Sequence, residues 1–358
     1  MRKDMTVGAR ALWGLLLGAL LLAGCGTEPG PTGDGASPAS PSLTPRVQRL
    51  VPLAAPSRLA AGAQHSLSIA PGGTVWAWGA NSSGQLGVGE ASFQRLVPVQ
   101  VPGLSDVVSV AAGDSHSLAL RADGTVWAWG SNSSGQLGDG TLTDRGTPLR
   151  VAELTEVVSV AAGAFHSLAL RADGTVWVWG TNFYGQLGLG HTEPRSKPEP
   201  VPGLAQVVAL AASFDFTVAV IEDGTVWAWG ANSSGQLGDG TFNPRTKPGK
   251  VPELNAVTSV ATGTYHVVAV RTDGTVWAWG GNSSGQLGNG TGADSTVPVQ
   301  VPGITDARAV AAQDSGSLVL RKPGTVLAWG YNASGQLGDG TTTERGTPVA
   351  VQGLGAVT

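Results

Sequence analysis

Cysteine occurs once in the 358 residues, at Cys25, so no disulfide can form within the chain. Stability must come from a packed core, and the chain is long enough to bury one. Charge is also scarce: 13% of residues are charged and the formal net charge is −4. That balance offers no basic face, and nucleic acid is not an expected partner. The one long apolar run, Ala11 to Ala23, falls short of the roughly 20 residues that a membrane-spanning helix needs. The chain has no Gly-x-Ser-x-Gly elbow, His-Glu-x-x-His pair, phosphate loop or Cys/His cluster. Without such groupings the expectation is a non-enzyme with no cofactor and no metal. What the sequence has in excess is glycine, 54 of 358 residues, about twice the usual share. High Gly together with 12 Trp and frequent Val suggests many short strands joined by tight turns.

The N-terminus carries an address. Arg2, Lys3 and Arg10 form a positive start, and a short Leu-rich run follows. This pattern fits a cleaved signal peptide. Its end, Leu22-Ala23-Gly24-Cys25, resembles a bacterial lipobox cut before the cysteine. The resemblance implies diacylglyceryl attachment to the Cys25 thiol, acylation of the new amino group, and anchoring in the cell envelope. Gly26, not Asp, follows the cysteine, which by the enterobacterial sorting pattern implies the outer membrane. Several acyl chains would hold the protein stably, at about 0.8 kcal/mol per buried methylene. Residues 26–45 are rich in Pro, Gly, Ser and Thr, the composition of a flexible tether. The expected division is therefore a signal peptide over 1–24, a lipidated cysteine and linker over 25–45, and a folded domain over 46–358.

The folded part is built on a repeat. Trp-x-Trp-Gly cores begin at Trp76, Trp127, Trp177, Trp227 and Trp277, and a sixth begins at Leu327 with the first Trp replaced. A fixed period of about 50 residues marks one supersecondary unit copied along the chain, each copy burying its apolar face on its neighbours. In the second copy, Val107 to Gly113 is β-branched and apolar and reads as a buried strand. Ser117 to Arg121 alternates as a second strand, and Asp123-Gly124 reads as a type I′ hairpin turn leading into Thr125 to Trp129. After a Gly-rich loop, Pro148 to Val151 gives a short edge strand. Four antiparallel strands per repeat, arranged radially, make a β-propeller blade, so the fold class is all-β.

The repeated unit is Val-x-x-Val-Ala-Ala-Gly-x-x-His-Ser-x-Ala-Leu, then Asp-Gly-Thr-Val-Trp-x-Trp-Gly, then Asn-x-x-Gly-Gln-Leu-Gly-x-Gly. It resembles the RCC1 (regulator of chromosome condensation) repeat over residues ~56 to 358. The resemblance implies a propeller, usually of seven blades, whereas six copies are present here. Val357-Thr358 aligns with Val257-Thr258, and Ser57 to Gly62 opens the first copy in the register where the last one stops. Two arrangements follow: a closed six-bladed ring sealed by an N-to-C junction, or a seven-blade geometry lacking a blade. Known members imply roles for such propellers in nucleotide exchange on a small GTPase and, among secreted bacterial proteins, in β-lactamase inhibition.

Several repeated residues invite a functional reading, and each has a structural one. His65, His116, His166 and His266 recur at one position, where Phe216 and Gly316 stand in copies four and six. Packed sheets lie about 10 Å apart and zinc–nitrogen bonds are about 2 Å, so these imidazoles are expected to bond backbone groups in their own blades, not one metal. In Val126-Trp127-Ala128-Trp129 the two indoles share one strand face and the small residues the other, as interlocking blades require. The Asn-Ser-Ser runs at Asn81, Asn132, Asn232 and Asn282 read as turns. Arg145, Arg195, Arg245 and Arg345 read as partners of carboxylates such as Asp139, Asp239 and Asp339.

With the repeated residues assigned to turns and packing, information about a ligand lies where the copies differ. The turn after Ala-Ala-Gly and the loop after Asn-x-x-Gly open on the same side of a blade. Variable positions there include Leu142, His191, Phe242 and Thr264. The candidate binding rim is Asp114, Phe165, Phe183, Tyr184, Phe214, Asp215 and Tyr265. Aromatic anchors on loops suit protein recognition. The expected function is a lipid-anchored, monomeric, non-catalytic scaffold for a protein or envelope macromolecule. An enzyme of cell-wall or polysaccharide metabolism is the alternative of a different class.

Overall fold

The computed structural model describes residues 57–89 and 92–357. The expected signal peptide, the lipidation site Cys25, the linker and residues 46–56 lie outside the described residues. Among the described residues six four-stranded sheets account for the secondary structure, and in each the strands pair in sequence order. Blade two is typical: Val107–Ala112 is its first strand, His116–Arg121 its second, Val126–Gly130 its third and Arg145–Arg150 its outer strand. The second and third strands pair from His116↔Gly130 to Leu120↔Val126.

The hairpin between them departs from the sequence expectation. Gly124 adopts φ +78°, but Asp123 is absent from the left-handed region, so the turn is not type I′. Gly124 N–H donates to Arg121 C=O (2.9 Å) and Arg121 N–H to Thr125 C=O (3.0 Å). The loop is thus three residues long, a right-handed turn closed by one left-handed glycine. Asp123 works through its side chain, accepting from Thr125 N–H at 3.0 Å and Thr125 Oγ1 at 2.7 Å.

The cores lie between blades, not within them. Five apolar clusters each join one blade to the next. In the second of the junctions, Leu118, Leu120, Val126 and Ala128 of blade two meet Val157, Val160, Ala169 and Trp179 of blade three. The second Trp of each pair is the key to the junction. Trp129, Trp179, Trp229, Trp279 and Trp329 are fully buried. Each donates its indole N–H to a glutamine carbonyl of the preceding blade, at 2.8–3.0 Å. The close approach explains a repeated glycine. A Cβ on Gly138, which has φ +72°, would stand 2.9 Å from Trp179 Nε1. The first Trp of each pair, such as Trp127, is only partly buried against the same cluster.

The sixth-to-first junction differs from the other five. Inner strands pack in succession from blade one to blade six, and among the described residues no comparable packing joins six back to one. Trp78, the blade-one counterpart of Trp129, is partly buried and makes no indole bond to a glutamine carbonyl. Leu318, Leu320 and Val326 of blade six are partly buried, where Leu118, Leu120 and Val126 of blade two are fully buried. Of the two arrangements left open by the sequence, the sealed six-bladed ring is not formed among the described residues. At both ends the described backbone bonds stay within the series. Ser57 is committed to blade two: its C=O accepts from Val110 N–H (2.9 Å) and its N–H donates to Ser109 Oγ (3.2 Å). Val357 N–H donates to Gly324 C=O (2.9 Å), as Val157 N–H does to Gly124 C=O (3.2 Å) within the series.

Candidate functional site

Antiparallel pairing sends the turn between first and second strands, and the loop between third and outer strands, to one end of each blade. They are joined there directly. Thr181 N–H donates to Phe165 C=O (2.9 Å), Ala231 N–H to Asp215 C=O (2.8 Å) and Gly281 N–H to Tyr265 C=O (2.8 Å). In each of blades three to five the two loops therefore form one surface, as strand direction predicts.

The loops that carry its side chains are held by buried asparagines. Asn232 Oδ1 accepts from Leu237 N–H (2.9 Å), and its Nδ2 donates to Thr241 C=O (3.0 Å) and Asn243 C=O (3.0 Å). This clamps the segment on which Phe242 projects. Asn182 does the same for the Phe183-Tyr184 loop through Leu187 N–H, His191 C=O and Glu193 C=O. With their amides consumed and buried, the Asn residues are turn builders, as expected.

A pocket of ≈ 320 Å³ opens on this rim. Tyr184, Phe214, Phe242 and Tyr265 supply its aromatic lining, and Asp215 its one charged group. Gln186 ties two of these parts together. Its Oε1 accepts from Tyr184 N–H (3.0 Å) and its Nε2 donates to Asp215 Oδ1 (2.9 Å). Burial, and then the nearby Asp114 carboxylate, push the Asp215 carboxyl up to about 6. Phe165 meets Phe214 edge to face with centroids 5.9 Å apart.

Of the seven rim residues read from sequence, Tyr184, Phe214, Asp215 and Tyr265 line the pocket together. Phe165 supports it from behind, Asp114 acts on it through charge, and Phe183 stands exposed beside Tyr184 without lining it. Phe242 completes the wall although sequence marked it only as a variable loop position. Gln186 was missed because Gln recurs in every copy, whereas its bond to a carboxylate depends on Asp215 in the next blade.

The histidines are elsewhere, and their expected role needs correction. All four are buried, and each Nε2 meets a hydroxyl of the following blade instead of a backbone group of its own. The pairs are His65–Ser117 (2.9 Å), His116–Ser167 (3.0 Å), His166–Thr217 (3.1 Å) and His266–Ser317 (2.8 Å). Side-chain reach across the interlocked junction, which is invisible in a single repeat, decides this. Desolvation pushes the imidazoles down to about 4 for His65 and His266 and about 3 for His116 and His166. Among the described residues, no group of three His, Cys, Asp or Glu is placed to hold a metal. The periodic arginines pair with carboxylates: Arg145–Asp139 at 2.8 Å, Arg245–Asp239 at 2.8 Å and Arg345–Asp339 at 2.7 Å. Arg195 turns to Glu199 (2.7 Å) because Leu189 stands where the loops of Arg145, Arg245 and Arg345 have Asp.

The RCC1-like domain model matches residues 19–358. The chain belongs to the RCC1-like domain family. Among solved structures, this RCC1-like chain is similar to human WBSCR16, at 28% identity and a TM-score of 0.74, over 83% of this chain and 82% of that one. It is similar to Prp20p of Saccharomyces cerevisiae at 25% identity and a TM-score of 0.74, over 82% of this chain and 76% of that one. Among curated relatives, the protein RCC2 homolog of Danio rerio is 48% identical over 85 residues, 23% of this chain and 17% of that protein. The matched region thus spans under a fifth of that relative's length.

Proposed function

We propose that this RCC1-like propeller is exported, anchored in the outer membrane of a bacterial cell envelope through lipid on Cys25, and binds a protein without catalysing a reaction on it. The observation that carries the binding part is the aromatic sector. Phe183, Tyr184, Phe214, Phe242 and Tyr265 are 68%, 50%, 37%, 56% and 47% exposed. They crowd onto one end of adjacent blades, while the fully buried aromatics of the chain serve the blade junctions. Clustered exposed aromatics invite aggregation unless a partner covers them, and such residues dominate interface energetics. The family offers a precedent in Prp20p, described with its binding properties to Gsp1p and histones. The anchor reading is supported by the positive start, the short apolar run and the lone cysteine at the end of Leu-Ala-Gly-Cys.

The test is a cross-linking pulldown from intact cells with the wild-type chain and with Phe183, Tyr184 and Tyr265 changed together to Ser. The variant is expected to keep its circular dichroism and melting temperature and to lose the cross-linked partner. Undiminished capture rejects this sector as the binding surface.

A further inference from the structure

We propose that the rim pocket is a cage for an organic cation, the ammonium or guanidinium head of a Lys or Arg side chain on the partner protein. The inference rests on the reading of this sector as a protein-binding surface and adds the chemistry of its central contact. Four aromatic side chains, Tyr184, Phe214, Phe242 and Tyr265, surround a single carboxylate, Asp215. No Lys or Arg lines the pocket, and the remaining lining residues are uncharged. The Asp215 carboxylate accepts one hydrogen bond, from Gln186 Nε2, and forms no ion pair among the described residues.

Charge decides what fits. An anion would meet the Asp215 carboxylate and the negative faces of the rings, with no cationic side chain to offset them. A wholly apolar group would bury the carboxylate further without pairing it, a costly outcome. A cation meets the carboxylate and the ring faces at once, and cation–π contacts of this kind strengthen as water is excluded. The volume, ≈ 320 Å³, lies at the small end of the range for ligand pockets, enough for a side-chain head and its methylenes. Nearby Asp114 adds negative potential, as its effect on Asp215 attests.

The cage is also a departure from the repeat. Tyr184 stands where the neighbouring copies have Ser134, Ser234, Ser284 and Ser334. Asp215 follows Phe214 where blade two has Asp114-Ser115 and blade six Asp314-Ser315. Phe242 occupies the position of Leu142, Thr192, Gly292 and Thr342. None of these three choices is required by blade geometry, since other blades fold without them.

The probes are acetylated, amidated tripeptides Gly-Lys-Gly, Gly-trimethyllysine-Gly, Gly-Arg-Gly and Gly-norleucine-Gly, titrated into the full mature chain and followed by ligand-observed NMR. The cationic peptides are expected to bind at least ~10-fold more tightly than the norleucine peptide, a ratio equal to about 1.4 kcal/mol. Asp215→Asn and, separately, Phe242→Ser should each remove most of that preference while leaving the melting temperature unchanged. Equal binding of the norleucine peptide, no binding of any cationic peptide, or an unaltered preference in Asp215→Asn overturns the cage. The pulldown separates the two readings. If the triple Ser variant loses its partner while no cationic peptide binds, the surface stands and the cage falls. If capture is undiminished while the cationic peptides bind selectively, the surface reading falls and the cage stands as a small-cation site.

Discussion

Acid should unfold this propeller well above the pH at which carboxylates protonate, because of its four buried histidines. In each pair the hydroxyl donates onward to a glutamine carbonyl, as Ser117 does to Gln85 (2.8 Å) and Thr217 to Gln186 (2.9 Å). That leaves the imidazole Nε2–H as donor to the hydroxyl, and each Nδ1 is buried without a partner. A second proton on Nδ1 would make a buried cation, offset only at His116, where the Ala164 backbone can accept it. The folded values of about 4, 3, 3 and 4 express that cost, against about 6.5 in the unfolded chain. Above pH 6.5 the imidazoles are neutral in both states and stability is at its full value. As pH falls from there toward the folded values, the unfolded chain takes up protons that the folded one refuses, and stability drops. Each histidine contributes a slope of about 1.4 kcal/mol per pH unit. At pH 5 the loss is roughly 2 kcal/mol per histidine, or about 8 kcal/mol for four, within the range of a whole domain's stability. Asp215 works in the opposite sense, since its raised value makes the folded state the better proton acceptor between about 6 and the usual carboxylate range; it offsets at most one of the four protons.

The assay is urea unfolding at pH 7.5, 6.5, 5.5 and 5.0, with the midpoint and slope read at each. His166→Phe is the control, because Phe216 already fills the corresponding position of blade four fully buried. It should remove about a quarter of the pH dependence, roughly 2 kcal/mol between pH 6.5 and 5. A midpoint that holds steady from pH 7.5 to 5.0, or a His166→Phe variant with the wild-type pH dependence, refutes the argument.

Trp229→Ala should cost about 3–5 kcal/mol by denaturant unfolding, as a buried aromatic truncation that also removes one of the two hydrogen bonds to the Gln186 carbonyl. Trp78→Ala, where no preceding blade packs on blade one among the described residues, should cost less than half as much; equal losses would show that blade one is covered. Arg245→Ala removes an ion pair whose arginine is 41% exposed and should cost about 1 kcal/mol or less. Cys25→Ser should release the protein from the membrane fraction and block cleavage after Gly24, and mass spectrometry of the wild-type N-terminus should show the lipid; an unlipidated wild-type terminus refutes the anchor.

The sequence by itself determined the blade. Period, β-branched runs, Asp-Gly turns and Asn-x-x-Gly loops act over a few residues, so one copy is enough to read four strands and the end of the blade where variation gathers. The placement of Tyr184, Phe214, Asp215 and Tyr265 on one sector followed from that, because neighbouring copies in sequence are neighbouring blades in space. Only the tertiary structure decided what happens across junctions. Whether His116 bonds its own backbone or Ser167, 51 residues away, depends on how deeply blades interlock. Whether the last blade meets the first depends on packing between the two ends of the series, which no single copy contains. That Phe242 closes a pocket over Asp215, and that Gln186 holds the carboxylate there, depends on loops from three blades converging. These are contacts between residues about 30 to 50 apart in the chain, set by packing of one unit on the next; a repeat motif carries the shape of the unit but not the side-chain partners it meets in its neighbour.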